Sequence, residues 1–195
     1  MNASKLMTLA LCAATCISTA AYAEDDPIVS ATPVEQVADP VNPKPGMKFN
    51  GYNFQYMKTI DMPSTLDKAP AVKTYVESGE KFTHTPNMNQ GVWEGFLKCK
   101  VACNCTIVIY QRPANGSGYV LFVNGKKVTS GCGERAIAVN VKAGYNHFKL
   151  YALRADRFPP TITIKPTASS GEPRALTPKD FFYDDKPELK AEDLF

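Results

Sequence analysis

From residue 91 onward the chain alternates apolar and polar positions with a period of two. Ile137, Val139 and Val141 alternate with Ala138, Asn140 and Lys142. Phe148, Leu150 and Ala152 alternate with His147, Lys149 and Tyr151, and Ile162 and Ile164 with Thr161, Thr163 and Lys165. Successive side chains of a strand point to opposite faces, so this spacing predicts strands with one buried and one wet face. Residues 92–98, 106–110 and 119–123 are β-branched and aromatic runs and predict further strands. Trp93 sits mid-strand among apolar neighbours and reads as core rather than as a binding platform. Asn124-Gly125 is a strong hairpin signal, because both residues tolerate the positive φ of a type I′ turn. Upstream, Tyr52, Phe54 and Tyr56 alternate with Asn53 and Gln55, which predicts a strand; residues 66–78 predict a short helical turn interrupted by Pro70. Short strands punctuated by Gly, Pro and Asn define an all-β chain, an antiparallel β-sandwich or barrel. About 140 residues is ample for one such core.

The ends differ from the body. Lys5, an apolar stretch over residues 6–17 and Ala21-Tyr22-Ala23 before Glu24-Asp25-Asp26 form a secretory signal pattern, with cleavage expected after Ala23. The apolar run is too short to span a bilayer. Residues 1–23 are therefore expected to be removed and the mature protein to be exported, to the periplasm, the cell surface or the medium, with no membrane span. Residues 24–46 contain five prolines and no apolar periodicity, and predict an extended, mobile arm. Residues 47–183 form the predicted domain. Residues 184–195 form an acidic tail, either frayed or docking on a partner.

Charge adds little. The formal net charge is +3 at pH 7, and loss of the signal leaves about +2, close to neutral. No basic block suggests nucleic acid, and Lys126-Lys127 reads as a solvated hairpin tip. Cysteine usage changes the picture more. Cys99, Cys103, Cys105 and Cys132 remain after the signal, and an even count in an oxidising compartment predicts disulfides. Cys103 and Cys105 share a strand face, which disfavours a bridge between them. Two pairings stay open: Cys99–Cys103 with Cys105–Cys132, or Cys99–Cys105 with Cys103–Cys132. Either ties the segment before Gly133 to the Cys99 hairpin. A four-thiolate zinc site is disfavoured, since C-x2-C knuckles are absent.

Five motifs in order resemble the protective-antigen-type (PA14-like) β-sandwich family over roughly residues 45–183. They are Pro45-Gly46-Met47 with Asn50-Gly51-Tyr52; Val92-Trp93-Glu94-Gly95-Phe96; Leu121-Phe122-Val123-Asn124-Gly125-Lys126-Lys127-Val128; Val141-Lys142-Ala143-Gly144-Tyr145-Asn146; and Leu176-Thr177-Pro178 with Phe181-Phe182-Tyr183. The resemblance implies a secreted or cell-surface module that binds carbohydrate or serves assembly. Lectin-like members hold calcium through two adjacent aspartates in the loop before the 119–123 strand. Here the matching residues 112–118 contain no carboxylate, and calcium needs several oxygen ligands with carboxylates among them. No metal and no cofactor are expected.

The chemistry-bearing residues are few. Arg112, Asn115 and Ser117 offer hydrogen bonds to a hydroxyl-rich ligand from a loop at a sandwich end. The preferred reading of Asn115-Gly116 and Ser117-Gly118 is nevertheless that they make turns. Asn115-Gly116-Ser117 also matches a glycosylation acceptor, in a host that performs that chemistry. Tyr145, His147, Lys149 and Tyr151 form a stripe opposite the apolar face, either a partner surface or a surface covered by a loop. Arg154, Asp156 and Arg157 read as a solvated connection with one local ion pair. Catalytic residues are not expected: His84 and His147 are the two histidines, no nucleophile elbow or H-E-x-x-H occurs, and Glu77, Glu80, Glu94 and Glu134 are scattered. A hydrolase would need two carboxylates facing each other across a cleft. The sequence thus points to a non-catalytic binding module for a glycan or a cell-envelope protein. An accessory domain of a carbohydrate-active enzyme complex is the alternative, and homo-oligomerisation is open.

Overall fold

A computed structural model describes residues 37–83, 87–166 and 173–185. The predicted signal, residues 24–36 of the arm and residues 186–195 of the tail lie outside the described residues. In chain order the elements are β1 (Pro43–Pro45), β2 (Met47–Tyr52), α1 (Met62–Leu66), β3 (Lys73–Glu77), β4 (Gln90–Cys99), β5 (Cys103–Gln111), β6 (Gly118–Val123), β7 (Lys126–Gly131), β8 (Gly133–Val141), β9 (Gly144–Leu153), β10 (Thr161–Pro166), β11 (Arg174–Leu176) and β12 (Phe181–Asp184).

Two antiparallel sheets result. The larger runs β1-β12-β4-β9-β6-β7, with β2 pairing the first half of β4 and β3 beyond it; the smaller runs β11-β10-β5-β8. The alternation explains how they pack. Trp93 on β4 and Leu121 on β6 both lie opposite Leu150 on β9, and all three are fully buried between the sheets. Ile107 and Ile109 on β5, Ile162 on β10 and Val139 on β8 meet them from the smaller sheet. Each such side chain contributes roughly 1.5–3 kcal/mol by leaving water. The β6–β7 turn has Asn124 at φ 50° and Gly125 at φ 76°, the paired positive angles of the predicted hairpin.

Asn124 also works in tertiary structure. Its amide donates to Asn146 Oδ1 (2.9 Å) and its oxygen accepts from the His147 N–H (2.8 Å). Asn146 is fully buried, accepts from the Lys142 N–H and donates to the Lys142 carbonyl. One amide pair thereby locks the β6–β7 turn to the β8–β9 turn.

Several expectations are corrected. The strand expected over Tyr52, Phe54 and Tyr56 ends at Tyr52, and residues 53–57 are loop. The helical turn expected in residues 66–78 lies earlier, at Met62–Leu66, where Pro63 occupies the first turn. Proline is pre-organised there because its missing N–H would be unpaired anyway. Residues 73–77 are instead an edge strand on β2. The last stretch of the predicted mobile arm is docked: β1 pairs with β12, Lys142 Nζ lies 2.8 Å from Asp39, and Lys44 pairs with Asp185. Proline is tolerated in β1 because it is an edge strand.

The cysteine framework also differs. Among the described residues, Cys99, Cys103, Cys105 and Cys132 are free thiols. Gln111 lies opposite Gly133 and Cys105 opposite Val139, so β8 runs antiparallel along the whole of β5. Six strand residues, roughly 20 Å, separate Cys132 from the Cys105 level. A disulfide tolerates a Cα separation of about 7 Å at most. Neither Cys105–Cys132 nor Cys103–Cys132 can form.

Candidate functional site

The outer face of the larger sheet carries the predicted stripe. Tyr145, His147, Lys149 and Tyr151 do project there, but His147 is 5% and Tyr151 1% exposed. Residues 53–72 cross this face and bury a second core, in which Met62 and Leu66 pack on Tyr52, Val92, Val120, Tyr151 and Leu153. The stripe is therefore not an open aromatic row. Tyr145, half-buried, meets Phe96 and Phe182 edge-on, with Lys98 over its ring.

Beneath the covering segment is a polar network. Tyr151 donates to Asp67 (2.7 Å), Lys149 Nζ lies 2.9 Å from Asp67 and 3.7 Å from Glu94, and His147 Nε2 lies 2.9 Å from Glu94. Lys149 thus brings the Asp67 and Glu94 carboxylates within about 7 Å of each other, a separation seen in glycosidases. The electrostatics do not fit Glu94 as the general acid of such a pair. Burial works against the Glu94 charge, but the His147 hydrogen bond and Lys149 outweigh it and hold the carboxyl below its ordinary value. A general acid needs the opposite shift. Burial, then the bond to Asp67, push the Tyr151 hydroxyl up, so it stays a donor. Lys149 fills the space between the carboxylates, and the network fastens the segment to the sheet.

The open site is at one end of the sandwich. Four segments converge there: residues 54–57 after β2, Asn89 and Gln90 at the start of β4, Asn115 and Gly116 between β5 and β6, and Leu153 and Arg154 at the end of β9. They enclose a cleft of about 330 Å³, at the small end of ligand-binding pockets. Its walls are fixed from below. Buried Gln90 accepts from the Phe54 N–H (2.9 Å) and donates to the Phe54 carbonyl (3.0 Å), clamping the loop that carries Tyr56. Asn89 donates to Asn53 (2.9 Å). Fully buried Gln111 donates to the Leu153 and Phe158 carbonyls, setting the exit from β9. Arg154 follows at φ 56°, an uncommon angle for a side-chain-bearing residue. Its carbonyl accepts from the N–H groups of Arg157 (3.0 Å) and Phe158 (2.8 Å), which holds that conformation. Arg154 Nη2 lies 3.4 Å from the Asn115 carbonyl and closes the cleft on that side.

Chemically the cleft offers an exposed aromatic ring (Tyr56, 88% exposed), amide groups (Asn89, Asn115) and one cation (Arg154). That set suits a hydroxyl-rich ring compound: stacking on one side, hydrogen bonds on the other. Of the residues predicted from sequence, Asn115 is at the cleft. Ser117 is used within its own loop, where its hydroxyl accepts from the Ala114 N–H (2.9 Å) and faces the Arg112 and Ala114 carbonyls. Arg112 lies over the Phe158 ring, 5.5 Å from its centroid. Residues 112–118 contribute no carboxylate to this end of the sandwich, and Ser117 is already engaged within its loop. Tyr56 and Arg154 also line the cleft, at positions the sequence reads otherwise. The first was read into a strand and the second into a solvated connection, although the Asp156–Arg157 ion pair expected there is present (3.6 Å).

No protein-family model matches the sequence, and no curated protein matches it. Solved structures do match in fold. The chain is similar to the PA14 domain of the MpAFP antifreeze protein, with TM-score 0.55 and 11% identity over 79% of this chain and 99% of that one. It is similar to the epithelial adhesin 6 A domain from Candida glabrata, solved with Galb1-3GlcNAc, with TM-score 0.53 and 13% identity over 74% of this chain and 90% of that one. The PA14 sugar-binding domain of an RTX adhesin matches with TM-score 0.50 and 11% identity over 67% of this chain and 95% of that one. The chain has a PA14-like fold, as its motif order implied. Among the described residues no helix is long and apolar enough to cross a membrane.

Proposed function

We propose that this protein is an exported, non-catalytic glycan-binding module that takes a short oligosaccharide in the end cleft without calcium. The observation that carries the reading is the cleft itself: exposed Tyr56, two asparagines and a cation line it together on a frame clamped by Gln90 and Gln111. Two of the similar folds are named as sugar binders or were solved holding a galactoside, which supports a sugar as ligand class. Export is supported by the A-x-A signal pattern at residues 21–23. The non-catalytic reading is supported by Lys149, whose Nζ occupies the space between the Asp67 and Glu94 carboxylates where a substrate bond would have to sit.

Tyr56 supplies stacking, Asn115 and Asn89 hydrogen bonds, and Arg154 a charge-assisted bond to a ring hydroxyl or acidic substituent. A glycan array probed with the full chain, with calcium and with chelator, tests the reading. Binding of a defined sugar set, equal in both conditions and lost in Tyr56→Ala, is expected. Silence in both conditions overturns it, and binding with calcium alone overturns its metal-free form.

A further inference from the structure

The cysteine-bearing corner lies at the opposite end of the molecule. β4 ends at Cys99, opposite Gly144, and β5 begins at Cys103, opposite Val141. Val141 and Gly144 are themselves joined by the two-residue β8–β9 turn. Two connections, one over residues 100–102 and one over residues 142–143, therefore cross side by side from one sheet to the other. Cys99 and Cys103 are thereby held near each other by two short connections, and Cys103 is a direct electrostatic neighbour of Cys99.

Their side chains also face the same space. Cys99 continues the inward set of Trp93 and Leu97, and Cys103 the inward set of Cys105, Ile107 and Ile109. Both are half-buried and pack on the core between the sheets. Burial first, and then the neighbouring Cys103, push the Cys99 thiol above its ordinary value. Cys105 lies two residues deeper, fully buried, its Sγ 3.4 Å from the Val139 carbonyl, with burial pushing its thiol up to about 11. That makes it a poor nucleophile at neutral pH. Cys132 is at the far end of β8 and exposed.

We propose that Cys99 and Cys103 form a disulfide that staples the two sheets at this corner when the protein meets a disulfide oxidant, while Cys105 and Cys132 stay thiols. With oxidised glutathione, one protein thiolate attacks the glutathione disulfide and releases one glutathione thiolate. The second protein thiolate then attacks the mixed disulfide, forms the Cys99–Cys103 bond and releases the other. Two electrons pass to glutathione, and the two protein thiol protons end on the two glutathione thiols. The staple keeps the Cys99–Cys103 bridge of the first pairing and drops its Cys105–Cys132 partner. It closes a short loop, so its stabilisation lies at the lower end for disulfides, a rise in Tm of about 5 °C for a chain of this size.

The test uses the full chain in a glutathione redox buffer, followed by alkylation, tryptic cleavage and mass spectrometry. Cys99-Lys100 linked to the 101–126 peptide is expected, since the Arg112–Pro113 bond resists trypsin, with fragmentation placing the bond on Cys103 and with Cys132 alkylated. The link should persist in Cys105→Ser, vanish in Cys103→Ser, and carry the Tm rise with it. Bonding at Cys105 or Cys132, or alkylation of Cys99, Cys103, Cys105 and Cys132 alike in oxidising buffer, would overturn the proposal. The cleft is nine strand residues away along β4, roughly 30 Å. Oxidation should therefore leave glycan affinity unchanged, so failure of the staple and failure of the cleft reading are separate results.

Discussion

Trp93→Phe tests how the core handles a buried charge. Glu77 is 5% exposed, and its carboxylate accepts from Trp93 Nε1 (2.8 Å), the Tyr75 hydroxyl (3.0 Å) and the Thr83 hydroxyl. Trp93 is fully buried against Phe49 and Phe82. Phenylalanine keeps the ring packing in part but removes the N–H. Losing one donor to a buried charged acceptor costs about 1.5–3 kcal/mol. The indole-to-phenyl cavity adds about 1 kcal/mol. The total is about 2.5–4 kcal/mol, a fall in Tm of about 6–12 °C for a chain of this length. Urea denaturation of Trp93→Phe, Glu77→Gln and the double variant measures it. The double variant should cost less than the sum of the singles, because both remove the same bond. A loss below about 1 kcal/mol for Trp93→Phe, or strict additivity, would refute the claim that this hydrogen bond supports the carboxylate.

Further outcomes follow from the same contacts. Gln90→Met removes both bonds to Phe54 at nearly constant volume. It should cost about 2 kcal/mol in denaturation and weaken glycan binding roughly tenfold in titration, through loss of loop ordering. The Glu94 carboxyl is held below its ordinary value in the fold, so its contribution to stability is present above the unfolded carboxyl pKa and lost as pH falls through the folded one. Stability should therefore drop on the acid side, and Lys149→Met should flatten that drop; an unchanged acid limb in the variant would contradict the ion-pair assignment.

The period-two alternation made most of β4–β10 legible, because each strand has one face in a sheet-on-sheet core and registers its pattern directly. Residues 53–72 were not legible for a related reason. Phe54 packs against the outer face of a sheet and Tyr56 is 88% exposed, so the two mimic strand spacing while lying in a loop. Of the two readings left open for the stripe, His147 and Tyr151 take the covered one. Cys132 misled because pairing depends on register, and the count of residues between two cysteines does not reveal that β8 runs antiparallel along the length of β5. Asn115 was legible as a polar residue on an end loop. Arg154 was not: its position depends on a left-handed backbone set by Gln111, a residue more than forty positions earlier in the chain.

The most direct measurement is titration calorimetry of the best array sugar into the full chain and into Tyr56→Ala, each with and without chelator. Burying a sugar ring on the Tyr56 face predicts saturable one-site binding that chelator leaves unchanged and that Tyr56→Ala weakens at least tenfold, with folding intact by thermal melt. Equal affinity in the two proteins would place the ligand elsewhere and contradict the assignment of this cleft.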